Sequence, residues 1–173
     1  MVRCTIAKWT AGILFLLVAS SCFAQEESED DEFDHHCHFE GRSLTVGIGV
    51  PYAFEIGAPG VNVRMYYNAA ERLCFGPEYS YFKNQDVEVI DFDFVGHYIF
   101  ETKWLGIYPL FGVNYTVEKE THAMHEVHEA LGLVFGAGVH RNFNKLTVFA
   151  EYSNVILGIE DQFVTMGIMY NFN

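Results

Sequence analysis

Basic residues are scarce in this chain. Ten Lys and Arg stand against 23 Asp and Glu among 173 residues, a formal charge of −13. Neutralising the successive phosphates of a nucleic acid needs an extended basic patch. No run of Lys and Arg in the sequence supplies one, so nucleic acid is not an expected partner. Cations are the natural counter-charge. Of four cysteines only two, Cys37 and Cys74, lie beyond residue 24, which allows one disulfide but no disulfide scaffold. The apolar run "TAGILFLLVA" falls well short of the roughly 20 residues a spanning helix needs. After Gly41 there are no helix caps, no 3.6-residue apolar stripes and no GxGxxG-type phosphate loop. A helical or nucleotide-binding domain is therefore not written here.

What is present begins with a targeting segment. Arg3 and Lys8 precede the apolar run, and "SSCFA" ends in small residues before Gln25. That layout predicts a secretory signal over residues 1–24, cleaved after Ala24. The alternative is lipoprotein processing before Cys22, with Ala19 upstream where such signals usually carry Leu. Loss of the signal leaves eight basic against 23 acidic residues, or −15, and two cysteines, Cys37 and Cys74. Residues 25–42, "QEESEDDEFDHHCHFEGR", read as an acidic, His-rich leader with the character of a solvated tail.

Residues 43–173 alternate with period two, which is the strand signal. Eight segments are predicted, at 43–50, 60–69, 72–82, 87–100, 104–117, 130–142, 145–154 and 162–172. In the fourth, Ile90, Phe92, Phe94, Tyr98 and Phe100 point one way, and Asp91, Asp93, Val95 and His97 the other. The sixth sets Leu131, Leu133, Phe135 and Val139 against Gly132, Gly136, Gly138 and His140. In the second, Val61, Val63, Met65 and Tyr67 oppose Asn62, Arg64, Tyr66 and Asn68. Short connections such as "ETK" and "FN" alternate with longer ones such as "PYAFEIGAPG" and "VEKETHAMHEVHE". Lipocalin-like barrels and sandwiches share the strand count, but they would bury the large apolar set. Here the small and charged set suits a polar interior, and Tyr and Phe near strand ends suit an aromatic girdle. The reading is all-β: an eight-stranded antiparallel up-and-down transmembrane barrel.

The last segment, "VTMGIMYNFN", places Val164, Met166, Ile168, Tyr170 and Phe172 on one face and closes on Tyr-x-Phe before Asn173. This resembles the terminal signal of small bacterial outer-membrane barrels of the OmpX and OmpA type. The resemblance covers 43–173 as a pattern. It implies a Gram-negative outer-membrane location, lipid and the barrel-assembly machinery as partners, both termini in the periplasm, and four loops outside the cell.

An eight-stranded barrel is just wide enough for side chains to fill it. Arg64 is the basic residue placed inside, and Glu78, Asp91, Asp93 and Glu151 are its candidate partners in a lumen charge network. The bland reading is a structural plug, and the sharper one a proton or ion path through His97 and His140. "EYSN", residues 151–154, looks like the His-Tyr-Ser-Asn segment of outer-membrane lipid A deacylases. Glu151 stands where that family has its catalytic histidine, and strand parity turns Ser153 inward, so no enzyme is expected.

Metal binding is the remaining chemistry. "ETHAMHEVHE" spaces His122, His125 and His128 by three, and a short helical turn would bring them together, with Glu126 or Glu129 beside them. "DHHCH" gathers His35, His36, Cys37 and His38 at the other end. Imidazole suits zinc or copper, so the expected role is non-enzymatic, structural or in surface interaction with an extracellular ligand, with divalent metal on these segments. The rival is a purely structural or adhesive barrel without metal. Metalloprotease chemistry fails because "HEVH" is one residue short of H-E-x-x-H. Cys37 and Cys74 either pair with each other or stand as separate thiols.

Overall fold

The computed structural model describes residues 41–102, 104–120 and 127–172. Eight long strands run β1 Ser43–Ala53, β2 Ala58–Ala70, β3 Leu73–Lys83, β4 Val87–Tyr98, β6 Gly106–Glu120, β7 Val127–Phe143, β8 Leu146–Ile156 and β9 Asp161–Phe172. The two-residue β5, Phe100–Glu101, continues the course of β4 and also pairs with β6. Every neighbour is antiparallel, and β1 pairs with β9 while β4 pairs with β6. The sheet is thereby closed into an eight-stranded barrel with no free edge along its wall.

Burial along the wall is inverted relative to a water-soluble barrel. Arg64, Glu78, Asp91, Asn114 and Glu151 are buried, whereas Ile48, Phe111, Leu131 and Met166 are exposed. Soluble proteins rarely expose apolar surface that runs right round the molecule. Eleven residues at about 3.3 Å each, tilted by about 40°, rise about 28 Å, enough for an apolar band of about 25 Å. Aromatic side chains line the two ends: Tyr98, Phe100, Tyr170 and Phe172 at one, Tyr52, Phe54 and Tyr152 at the other.

The alternating faces assigned from sequence match those of β2, β4 and β7. The ends of the strands do not match, because a hairpin partner supplies hydrogen bonds that no local pattern reveals. The strands grow at the expense of the connections. "PYAFEIGAPG" shrinks to residues 54–57, and the connection between β6 and β7 shrinks to 121–126. At the opposite end, β2 and β3 are joined by two residues, as are β7 and β8, where Asn144 takes a φ of 63°. We call these the loop end and the turn end. Both ends of the barrel chain, Arg42 and Phe172, lie at the turn end, and Arg42 N donates to Asn68 O at 2.6 Å.

Candidate functional site

The lumen is built in layers, because each inward residue on one strand meets the inward residues of its neighbours at the same register. Nearest the loop end, Phe82 and Phe163 stack with ring centroids 5.3 Å apart, with Ala53, Val89 and Val155 around them. Ile56 and Val87 pack onto this group from above. The loops above are tied down. The Asp161 carboxylate accepts the backbone N–H of Glu55 at 2.9 Å, and Asn84 Nδ2 donates to Ile56 O at 2.9 Å. Asn84 Oδ1 also accepts from Asp86 N and Val87 N, each at 2.8 Å.

Below the apolar layer, Asn114 Nδ2 donates to Asp93 at 2.7 Å and to Asp91 at 3.4 Å, and Thr116 donates to Asp91 at 2.5 Å. These two carboxylates, Glu78 and Glu151 border a cavity of about 20 Å³, room for about one water.

The next layer holds the charge network. Arg64 is 1% exposed. Its two terminal nitrogens donate to the two oxygens of Glu151, both at 3.0 Å, and Nη2 lies 2.9 Å from Glu78. Its Nε donates to Asn62 Oδ1 at 2.8 Å, and its guanidinium carbon lies 4.2 Å from the centroid of Phe149. Each carboxylate has a further donor. Tyr66 donates to Glu78, as does Asn62 Nδ2 at 3.2 Å, and Tyr108 donates to Glu151 at 3.0 Å. The order is Tyr66, Glu78, Arg64, Glu151, Tyr108. An isolated buried charge is costly, and this chain of donors and acceptors leaves none of the three ions alone.

A ring layer follows toward the turn end. His97 stacks on Tyr108 at 4.8 Å and meets Tyr66 edge-on at 4.8 Å, while Tyr108 lies 5.5 Å from His140. Two glycines make the room. A Cβ on Gly138 would lie 2.4 Å from the Tyr108 ring, and one on Gly106 would lie 2.3 Å from His140 Nε2. Cys74, a free thiol and 3% exposed, sits 3.6 Å from His97 Nδ1. The floor is amide and hydroxyl: Asn68 Nδ2 donates to Ser43 at 2.7 Å and to Thr45 at 2.9 Å.

All five residues assigned to the lumen network thus face the interior, but in two groups. Glu78 and Glu151 pair with Arg64, whereas Asp91 and Asp93 are held by Asn114 and Thr116 instead. Ser153 also faces inward, 9% exposed. Sequence reasoning overlooked Tyr108 and Asn114, although both occupy inward positions of the fifth long strand, where parity alone was enough to find them.

The histidine segments fare differently. His35, His36, Cys37, His38, His122 and His125 lie outside the described residues. His128 and Glu129 belong to β7, opposite Glu118 and Val117, and Tyr115 donates to Glu129 at 2.7 Å. His128 thus stands on extended backbone at the start of β7, while the other two histidines of the spaced set are among the residues not described. Among the described residues no three His, Cys, Asp or Glu side chains are grouped to hold a metal ion.

No protein-family model and no curated protein matches the chain. Solved structures do. The N-terminal β-barrel domain of OprF from Pseudomonas aeruginosa superposes with a TM-score of 0.68 at 14% identity, over 76% of this chain and 98% of that one. The fold is that of small outer-membrane β-barrels. Neisserial surface protein A is similar at a TM-score of 0.59 and 15% identity, over 75% of this chain and 96% of its own. Ail, the attachment invasion locus protein of Yersinia pestis, follows at 0.55 and 16%, over 78% of this chain and all of its own. At these identities the likeness concerns the fold, and the Arg64 layer described above is read from this chain's own residues.

Proposed function

We propose that the protein is a non-enzymatic barrel of the bacterial outer membrane, with a structural or surface-interaction role. The observation that carries this reading is the inverted wall, with Arg64, Glu78 and Glu151 sealed inside and an apolar face outside. A closed strand ladder leaves no backbone group unpaired in lipid, so such a wall is at home in a bilayer. The turn end, where both ends of the barrel chain lie, faces the periplasm in this reading, and the loop end faces the outside. The signal segment 1–24 supplies export. The packed lumen supports a plug rather than a path for solutes. An enzymatic role has little support: Glu151 is engaged by Arg64 and Tyr108, and Ser153 lies in the lumen, away from any lipid substrate.

Cell fractionation tests the location, and gel mobility before and after boiling tests the closed barrel. Outer-membrane recovery with a heat-dependent shift is expected. A soluble product of unchanged mobility would overturn the reading.

Zinc or copper binding by the His-rich segments is the finer part of the proposal. It is supported by the ligand density of residues 34–38 and by His128 lying opposite Glu118 on the hairpin that carries His122 and His125. The finer surface role is contact with an extracellular ligand through this same hairpin, whose strands are the longest in the barrel.

A further inference from the structure

We propose that the turn end of the barrel carries a binding site for the phosphate of an anionic glycerophospholipid, centred on Arg141. The proposal rests on the membrane reading above. Its starting point is an uneven distribution of charge between the two ends. Among the described residues, Arg42, Arg72, Arg141 and Lys145 lie at the turn end against Glu71 and Glu101. At the loop end, Lys83 and Lys119 are outnumbered by carboxylates. In a protein with a formal charge of −13, a basic end is the exception.

Arg141 differs from the turn residues because it stands on the lipid-facing wall itself. Its neighbour His140 points into the lumen, and Asn142 accepts a hydrogen bond from buried Thr147, so Arg141 takes the outward face. It is flanked along β7 by Val139 and Phe143, both exposed, and it pairs across to Val148 on β8, also exposed. Its guanidinium carbon lies 5.4 Å from the Phe143 centroid, a contact that leaves the planar N–H fork available. The fork matches a phosphate better than an ammonium does. Among the described residues no carboxylate forms an ion pair with it, since the salt bridges there join other side chains.

The second element is the turn before β6. Thr102 and Leu105 are joined by three hydrogen bonds of 2.7 to 3.2 Å, which fix a tight turn and leave Trp104 66% exposed. Gly106 pairs with His140, so the turn that holds Trp104 and Leu105 lies at the same end of the wall as Arg141, next to it in register. An exposed tryptophan and an outward guanidinium at the same end of the wall suit a lipid whose phosphate is anionic and whose glycerol region is amphipathic. A zwitterionic lipid offers the same phosphate, but its own cation competes for it.

Trp104 provides the readout, since the chain has one other tryptophan, Trp9. The full protein, purified from membranes, is reconstituted in phosphatidylcholine vesicles containing a small fixed share of brominated phosphatidylglycerol or brominated phosphatidylcholine. A Trp104→Phe variant assigns the emission. The expected result is about two-fold stronger quenching by the brominated anionic lipid, equalised in Arg141→Gln with the heat-dependent gel shift unchanged. Equal quenching in the parent protein would overturn the site, as would an anionic preference that survives Arg141→Gln. Quenching by neither lipid would overturn the membrane reading together with the site.

Discussion

Arg64 on β2 and Glu151 on β8 are joined by two hydrogen bonds of 3.0 Å although 87 residues separate them in sequence. Two strands, β1 and β9, lie between theirs in the wall, so this bond crosses the lumen rather than following it. It is made by a planar fork meeting a planar carboxylate, the strongest arrangement these groups adopt. Arg64 also holds Glu78, and it is the group on which the middle of the barrel converges.

Removing Arg64 should therefore be costly. Arg64→Met leaves Glu78 and Glu151 buried without their cation, and a loss of about 3–5 kcal/mol is expected. The triple change Arg64→Met, Glu78→Gln, Glu151→Gln should recover much of it, because no uncompensated ion remains. The temperature at which the folded band disappears on a gel measures both. A single variant as stable as the parent would show that the network contributes nothing.

Gly138 has a comparable role through shape. Any side chain there meets the Tyr108 ring, whose hydroxyl must pass to reach Glu151. Gly138→Val should lose about 1–3 kcal/mol by overpacking. Tyr108→Phe, which keeps the ring and removes one hydrogen bond, should lose about 1 kcal/mol. Urea titration of the reconstituted protein measures each, and a Gly138→Val variant as stable as the parent would remove the steric argument.

The layered lumen predicts how the protein behaves in a planar bilayer. Phe82 and Phe163 close the loop end, Arg64 the middle, and Asn68 with Ser43 and Thr45 the floor. No large, steady open-channel current is expected. Such a current from the parent protein would replace the plug with a pore.

Cys74 lies inside the wall beside His97, so a bulky maleimide should leave it unlabelled in the folded protein. After unfolding without reductant, Cys74 should label, because it is a free thiol. Mass analysis of the labelled peptides decides the matter. A bond to Cys37 would appear as two protected cysteines released together by reductant.

Metal binding is tested by calorimetry at neutral pH. Micromolar or tighter zinc or copper binding is expected, reduced in part when His122, His125 and His128 all become Ala, with the remainder on residues 34–38. No heat from either metal, with the triple variant equal to the parent, would leave the hairpin as a solvated tip.

The inward and outward faces were written in the sequence because a strand's period is two whatever it pairs with. Arg64, Glu78, Asp91, Asp93 and Glu151 could be assigned to the interior one strand at a time. Which of them meet is another matter. That depends on how far each strand is shifted against the next round the closed wall, and no single strand carries that shift. Tertiary structure therefore decided that Arg64 takes Glu151 and Glu78, while Asp91 and Asp93 go to Asn114 and Thr116. It also decided where strands end. Residues 118–119 and 127–129 read locally as a polar loop, and they are extended because each backbone finds its partner across the β6–β7 hairpin. A polar sequence does not forbid a strand when a neighbour completes its hydrogen bonds, and the alternation that marks a buried face fades where both faces meet water.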